Sequence, residues 1–278
     1  MKNFANKIFF GAFIFALLFT ACKKDKVSSE KISEPQVTNV IKDSVSLKAN
    51  TSAQIMTKPQ VPVLCYHRIE DGKKGDYTVS LSTFEAHLKM LSDSGYHSIL
   101  PAQLYDYLVY NKSLPSHPFL ITFDDSRSEH FAVAAPLLEK YNYRASFFIM
   151  TITYNKKNYM TKEQIAELAQ RGHCIGLHSW DHTMVTKYQD STAWQAQVVA
   201  PKEKLEKIVG KKVEYWAHPN GVYNHISAEE LSKYFKISFA LSSKRDSMQP
   251  LQSVRRIIAP DCSAQALLKS MKNSFGGK

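Results

Sequence analysis

Pro118-Phe119-Leu120-Ile121-Thr122-Phe123-Asp124-Asp125 is an apolar, aromatic run that ends in two adjacent carboxylates. Its composition reads as a buried strand. An Asp-Asp pair after a strand often does no more than cap the amides that follow. About fifty residues on, a second apolar run, Cys174–Leu177, ends in His178-Ser179-Trp180-Asp181-His182. A lone pair of histidines spaced i, i+4 is more often a surface or satisfied polar feature than a metal site. In parallel α/β architectures, however, residues at the carboxyl ends of strands converge on one face. The two motifs are therefore expected to meet. One carboxylate and two imidazoles suit a zinc-like divalent cation with a position left open for water. The second carboxylate is then free to act as a general base. This is the pattern of a hydrolase.

Short apolar runs alternate with amphipathic stretches along the rest of the chain. Val61–Tyr66, Ala145–Met150, Val213–Trp216, Ile237–Leu241 and Arg256–Ile258 read as further strands. Helical patterns are expected from a cap at Ser82 to Gly95, over Glu129–Tyr141, from the Thr161/Gln164 capping box to Gly172, over Ser191–Val209, from Ser227, and over Ser263–Met271. Seven or eight β-α units imply a parallel sheet. An open doubly wound sheet and a closed barrel both satisfy this pattern.

The ordered set Thr122-Phe123-Asp124-Asp125, His178-Ser179-x-x-His182 and Pro219-Asn220-Gly221, opened by Val61-Pro62-Val63-Leu64-Cys65-Tyr66-His67, resembles the polysaccharide deacetylase (NodB-homology) family of carbohydrate esterases. It is closest to the subgroup containing poly-N-acetylglucosamine deacetylases. The resemblance covers residues 61–278 and implies an irregular (β/α)7 barrel. It also implies a divalent metal, zinc first and cobalt or nickel next, with Asp125, His178 and His182 as ligands. Asp124 would be the general base, and the Asn220 backbone N–H a candidate oxyanion donor. The implied reaction is removal of N-acetyl groups from a polysaccharide containing N-acetylglucosamine.

Three departures from the family pattern stand out. Ser126 occupies a position usually held by glycine, which is expected to be tolerated if the backbone there is not left-handed. Ala217 stands where an arginine often orients the base. The stretch Arg255–Asp261 lacks the late histidine that would protonate the leaving amine. His67 and His218 are the candidates for that acid, and His67 also for substrate binding. Trp180, Trp216 and Tyr223 are candidates for stacking on sugars, or for the core.

The N-terminus reads as a bacterial lipoprotein signal over residues 1–21, with Cys22 the lipidated residue. Residues 22–60 are expected to form a polar, flexible tether. The net charge is +11, and the nine lysines and four acidic residues of Met1–Gln60 leave +6 for the remainder. No basic stripe with interleaved aromatics appears, so nucleic acid is not an expected partner. No phosphate-binding or dinucleotide fingerprint appears, so no nucleotide cofactor is expected. Cys65 and Cys174 read as small core residues, and with Cys262 they make no disulfide framework, although spacing leaves a single disulfide between two of the three open. The expected partners are a polysaccharide substrate and, through the anchor, the membrane of the bacterial envelope. Two alternatives stay open: a catalytically silent glycan-binding lipoprotein, and an esterase that removes O-acetyl groups.

Overall fold

The computed structural model describes residues 48–276. Eight strands carry the frame: β1 Val63–Tyr66, β2 Pro118–Phe123, β3 Ser146–Ile149, β4 Cys174–Leu177, β5 Tyr215–Ala217, β6 Ile237–Ala240, β7 Val254–Arg255 and β8 Ile257–Ile258. They pair in parallel throughout, in the order β7-β6-β5-β4-β3-β2-β1-β8. The short strand His97–Ser98 also pairs with β2. The strands at the two ends of the path are consecutive in the chain and separated only by Arg256. The run from Val254 to Ile258 therefore pairs first with β6 (Val254 with Phe239) and then with β1 (Leu64 with Ile257). The Arg256 N–H bonds to Ala240 O at 2.9 Å and the Ala259 N–H to Cys65 O at 3.0 Å. One residue thus joins both edges of the sheet, which is nearly closed into a barrel. With β7 and β8 counted as one run, this is the seven-unit barrel the resemblance implies.

Strand side chains alternate between two apolar layers. Val63, Leu120, Phe148, Ala217 and Phe239 cluster on one side. Leu64, Tyr66, Ile121, Phe123, Phe147, Leu177 and Trp216 pack on the other, against Leu88 and Leu91 of the helix Leu81–Asp93 and Leu205 of the helix Ala200–Val209. Space in the first layer is tight. A Cβ on Gly176 would lie 2.4 Å from the Phe148 ring, so β4 needs glycine there.

Several local expectations shift. The helix Leu81–Asp93 is capped by Ser80, whose Oγ accepts from the Thr83 N–H, and not by Ser82. The helix Pro101–Tyr110 had no counterpart in the sequence reading. The Thr161/Gln164 capping box forms as expected. Residues 1–47, with the signal, Cys22 and most of the tether, lie outside the described residues. The last part of the stretch expected to be a tether, residues 50–60, is structured instead. Thr51 caps the helix Ser52–Thr57, Ile55 is buried, Asn50 donates to Leu108 O at 2.8 Å, and Arg245 donates to Met56 O at 3.0 Å. Those contacts tie the segment to the barrel well before Val61. Cys65, Cys174 and Cys262 are free thiols.

Candidate active site

At the carboxyl ends of β1, β2, β4 and β5 an open cleft of about 350 Å³ contains His67, Asp124, Asp125, His178, His182 and Asn220 in its wall. The two motifs do converge. The backbone that brings them there is unusual: Asp125, Ser126, Ser179, His182 and Asn220 all have positive φ, between 56° and 72°. Among the described residues, four of the five other non-glycine positions with positive φ are asparagines, which tolerate that conformation. Asp125, His182 and Asn220 are likewise of tolerant types, so the costly cases are the two serines, Ser126 and Ser179, each held in place by a hydrogen bond of its hydroxyl.

Ser126 corrects the sequence expectation, because its backbone is left-handed (φ 59°) and serine is accepted nonetheless. Its Oγ accepts the Met150 N–H at 2.8 Å and its carbonyl accepts the Met160 N–H at 3.0 Å. The hydroxyl thus satisfies a buried amide that glycine would leave open. Across the site, Ser179 Oγ accepts the His182 N–H at 2.8 Å and fixes the turn between the two histidines.

Asp124 is buried at the end of β2. Arg256 donates to both its oxygens, Nη1 to Oδ1 and Nη2 to Oδ2, each at 2.8 Å, and Nη1 also donates to Thr122 Oγ1 at 3.1 Å. Burial alone would raise the Asp124 pKa. The Arg256 guanidinium, with His178 and His67 adding to it, outweighs burial and holds the carboxyl well below the usual carboxylate range. This arginine was missed in the sequence, where the stretch around it was searched for a histidine. It supplies, from the strand that closes the barrel, the guanidinium that Ala217 cannot.

The His178 ring is set by its Nδ1–H, which donates to Ala217 O at 2.8 Å. Its Nε2 is left as a bare lone pair, the form in which imidazole binds a metal. Burial lowers the His178 pKa, with partial opposition from Asp124 and Asp125, so the ring is neutral at neutral pH. Nε2 lies 3.6 Å from Asp125 Oδ1, which is 3.5 Å from His182 Nε2. Both Asp125 Oδ1 and His178 Nε2 are buried without a hydrogen-bond partner. A lone pair facing a carboxylate oxygen is repulsive unless a cation lies between them, and orphaned atoms of this kind call for an explanation. The donor set, one carboxylate oxygen and two imidazole nitrogens, fits a divalent ion of the zinc class.

Cys65, His67 and Asp124 form a neighbouring group of suitable atoms. It is the poorer host: Arg256 already occupies both Asp124 oxygens, and burial pushes the Cys65 thiol up and away from the thiolate form a metal needs. The Cys65 thiol instead donates to Asp124 Oδ2 at 3.5 Å.

A carboxylate kept ionised beside donors left open for a cation is the equipment of a hydrolase that activates water. Comparison with known proteins narrows the class: this chain belongs to the polysaccharide deacetylase family, hydrolases that act on the acetyl amide bonds of polysaccharides. The family's sequence pattern matches residues 111–235. YxkH of Bacillus subtilis (strain 168), itself only assigned as a polysaccharide deacetylase, is 30% identical over 233 residues, covering 80% of this chain and 82% of that protein. The poly-beta-1,6-N-acetyl-D-glucosamine N-deacetylase of Staphylococcus aureus (strain N315) is 26% identical over 187 residues, 61% of this chain and 63% of that protein. The solved structure of IcaB from Ammonifex degensii superposes with a TM-score of 0.64 at 26% identity, over 77% of this chain and 98% of that one. The Streptococcus pyogenes deacetylase PplD, solved with acetate, shares the fold with a TM-score of 0.71 at 24% identity, over 77% and 99%.

The two candidate acids separate cleanly. His218 is fully buried: its Nδ1 accepts from Trp216 Nε1 at 3.2 Å and its Nε2 pairs with Gln252 O at 2.9 Å. Burial drives its pKa down to about 3. Both ring nitrogens are engaged away from the cleft, so His218 is a core residue and not the acid. His67 lines the cleft, with Nε2 3.9 Å from Asp124 Oδ2, and its carbonyl pairs with His130 Nε2. Trp216 is fully buried and cannot stack on sugar. Tyr223 stacks on His218 at 5.1 Å between centroids, and Trp180, although exposed, is not part of the cleft wall. A half-exposed ring that the sequence reading overlooked, Tyr77, does stand in the wall, edge-on to His67 with centroids 4.9 Å apart.

Proposed function

We propose that the protein removes N-acetyl groups from an N-acetylglucosamine-containing polysaccharide of the cell envelope or its surroundings, with a divalent cation held by Asp125, His178 and His182. Zinc is the first choice, and cobalt or nickel would serve the same donors. Such a cation, when bound, acidifies water and polarises a carbonyl. Asp124 takes the proton of the attacking water. Arg256 fixes both its oxygens and keeps it ionised. The Asn220 N–H donates to the oxygen that becomes negative during attack. His67, whose Nε2 lies 3.9 Å from Asp124 Oδ2, takes over the proton that Asp124 has abstracted and delivers it to the departing nitrogen. The observation that carries this reading is the arginine-clamped carboxylate beside two orphaned, mutually facing donor atoms.

The substrate class draws support from the Staphylococcus aureus relative, named for deacetylation of poly-beta-1,6-N-acetyl-D-glucosamine. Cys22 is proposed as the lipid anchor that places the enzyme on the envelope. Labelling with a fatty-acid analogue should mark the wild type and be lost in Cys22→Ala.

The direct test strips the full chain of metal by chelation, restores Zn²⁺ or Co²⁺, and follows acetate and free amine released from N-acetylglucosamine oligomers. Release that needs the metal and is lost in both Asp124→Asn and His178→Ala supports the proposal. Release that survives both substitutions removes this site from consideration. On an O-acetylated glycan as a second probe, acetate release with none from the N-acetylglucosamine oligomers would assign the same residues to ester cleavage, and glycan retention without turnover would leave a binding protein.

A further inference from the structure

One wall of the cleft is positively charged. Arg68 and Lys74 stand in it with Tyr77, on the segment between β1 and the helix Leu81–Asp93. That segment is held as a small ladder: Arg68–Ile69 pairs with Thr78–Val79, and the Arg68 N–H bonds to Tyr77 O at 3.0 Å. Lys74 lies in the stretch that links the two short strands. Among the described residues neither Arg68 nor Lys74 has a carboxylate within 4 Å, whereas neighbouring Lys73 is paired with Glu70 at 2.7 Å. Asp76 shares the wall, so these three side chains carry one net positive charge, and the cleft's other carboxylates, Asp124 and Asp125, are those facing Arg256 and the open metal-donor set. A neutral sugar offers Arg68 and Lys74 hydrogen-bond acceptors but no opposite charge, whereas an anionic group offers both. A planar guanidinium and an ammonium lining the same cleft suit a carboxylate or phosphate.

We propose that the cleft binds an acetylated sugar that itself carries, or directly neighbours, an anionic group, with Tyr77 against the sugar face and Arg68 and Lys74 on the anion. This rests on the deacetylase reading and narrows its substrate class. The anion is a carboxylate (a uronate or an acid-bearing ether) or a phosphate ester.

The test compares three probes on the full, metal-restored chain: an N-acetylglucosamine tetramer, the same tetramer with one ring oxidised to the uronate, and the same tetramer with one 6-phosphate. The wild type should show kcat/KM at least about tenfold higher for one of the anionic tetramers than for the neutral one, as expected for a charge-assisted contact in a partly shielded cleft. The preferred probe names the anion. Raising the salt concentration should shrink that ratio. The Arg68→Ala/Lys74→Ala double variant should bring it close to one, and Arg68→Glu should invert it. No anionic preference in the wild type, or a double variant that keeps the preference, overturns the proposal. Equilibrium binding of the same tetramers to Asp124→Asn, measured by calorimetry, separates the two readings. An anionic preference in binding without any acetate release by the wild type would sustain the subsite and overturn the deacetylase. Acetate release with no preference in either assay would do the reverse.

Discussion

Taking Asp124 and Arg256 out of water is costly for both, and only the bidentate geometry with the added Thr122 contact offsets it. The pair therefore serves the charge state of the base more than stability. Arg256→Gln should lower kcat at least about tenfold and move the acid limb of the kcat/KM profile upward, because burial is then less opposed in its effect on Asp124. It should also cost about 3–5 kcal/mol in urea denaturation, since a buried carboxylate loses its cation. An unmoved acid limb would show that Arg256 does not set the charge of Asp124. Ser126 offers a second, purely structural test. Ser126→Ala keeps the left-handed strain and strands the Met150 N–H, which should cost about 1–3 kcal/mol. Ser126→Gly should cost less, because relief of the backbone partly compensates for the lost hydroxyl. Thermal melts that rank glycine below alanine would contradict this account.

The turn after β5 governs how Asn220 meets the cleft. Gly221 has φ 69°, and a Cβ there would lie 2.3 Å from Leu241 Cβ and 2.7 Å from the Leu241 backbone nitrogen. Gly221→Ala must push this turn off the β6 end. About a hundredfold loss in kcat/KM should follow, as is typical when a positioned donor moves by an ångström. Near-wild-type turnover in a well-folded Gly221→Ala protein would remove the Asn220 N–H from the mechanism. The turn also shows what sequence could and could not reveal. The ends of β2 and β4 were readable because an apolar run followed by Asp-Asp or His-x-x-x-His marks both a strand and its carboxyl end. His218 was misplaced because nearness along the chain does not give the face of a strand: it shares a side with buried Trp216, while Ala217 faces the other way. Arg256 went unseen because its partner lies 132 residues away, and only the pairing of β8 with β1 brings them together.

Buried neutral histidines tie the whole barrel to pH. Burial lowers His218 to about 3, and it lowers His173, held between the Ala145 N–H and Glu139, to about 4. Both would titrate near 6.5 in the unfolded chain. Between those values the unfolded state binds the extra protons, so stability is full above 6.5 and falls as pH drops towards 4. The slope is at most about 1.4 kcal/mol per pH unit for each histidine. Urea midpoints measured at pH 7.5, 6.0 and 5.0 should decline in step, and a flat series would refute the assignment of these rings as neutral in the folded state. The closing strand has a different kind of consequence. A polypeptide leaves the ribosome with its amino end first. Asp124, Asp125, His178 and His182 are all delivered before Arg256, and the base has no guanidinium until Val254–Ile258 docks between β6 and β1. On the proposed mechanism, competence therefore arrives late and all at once as the chain folds, and a chain stalled short of that strand would hold Asp124 without its guanidinium.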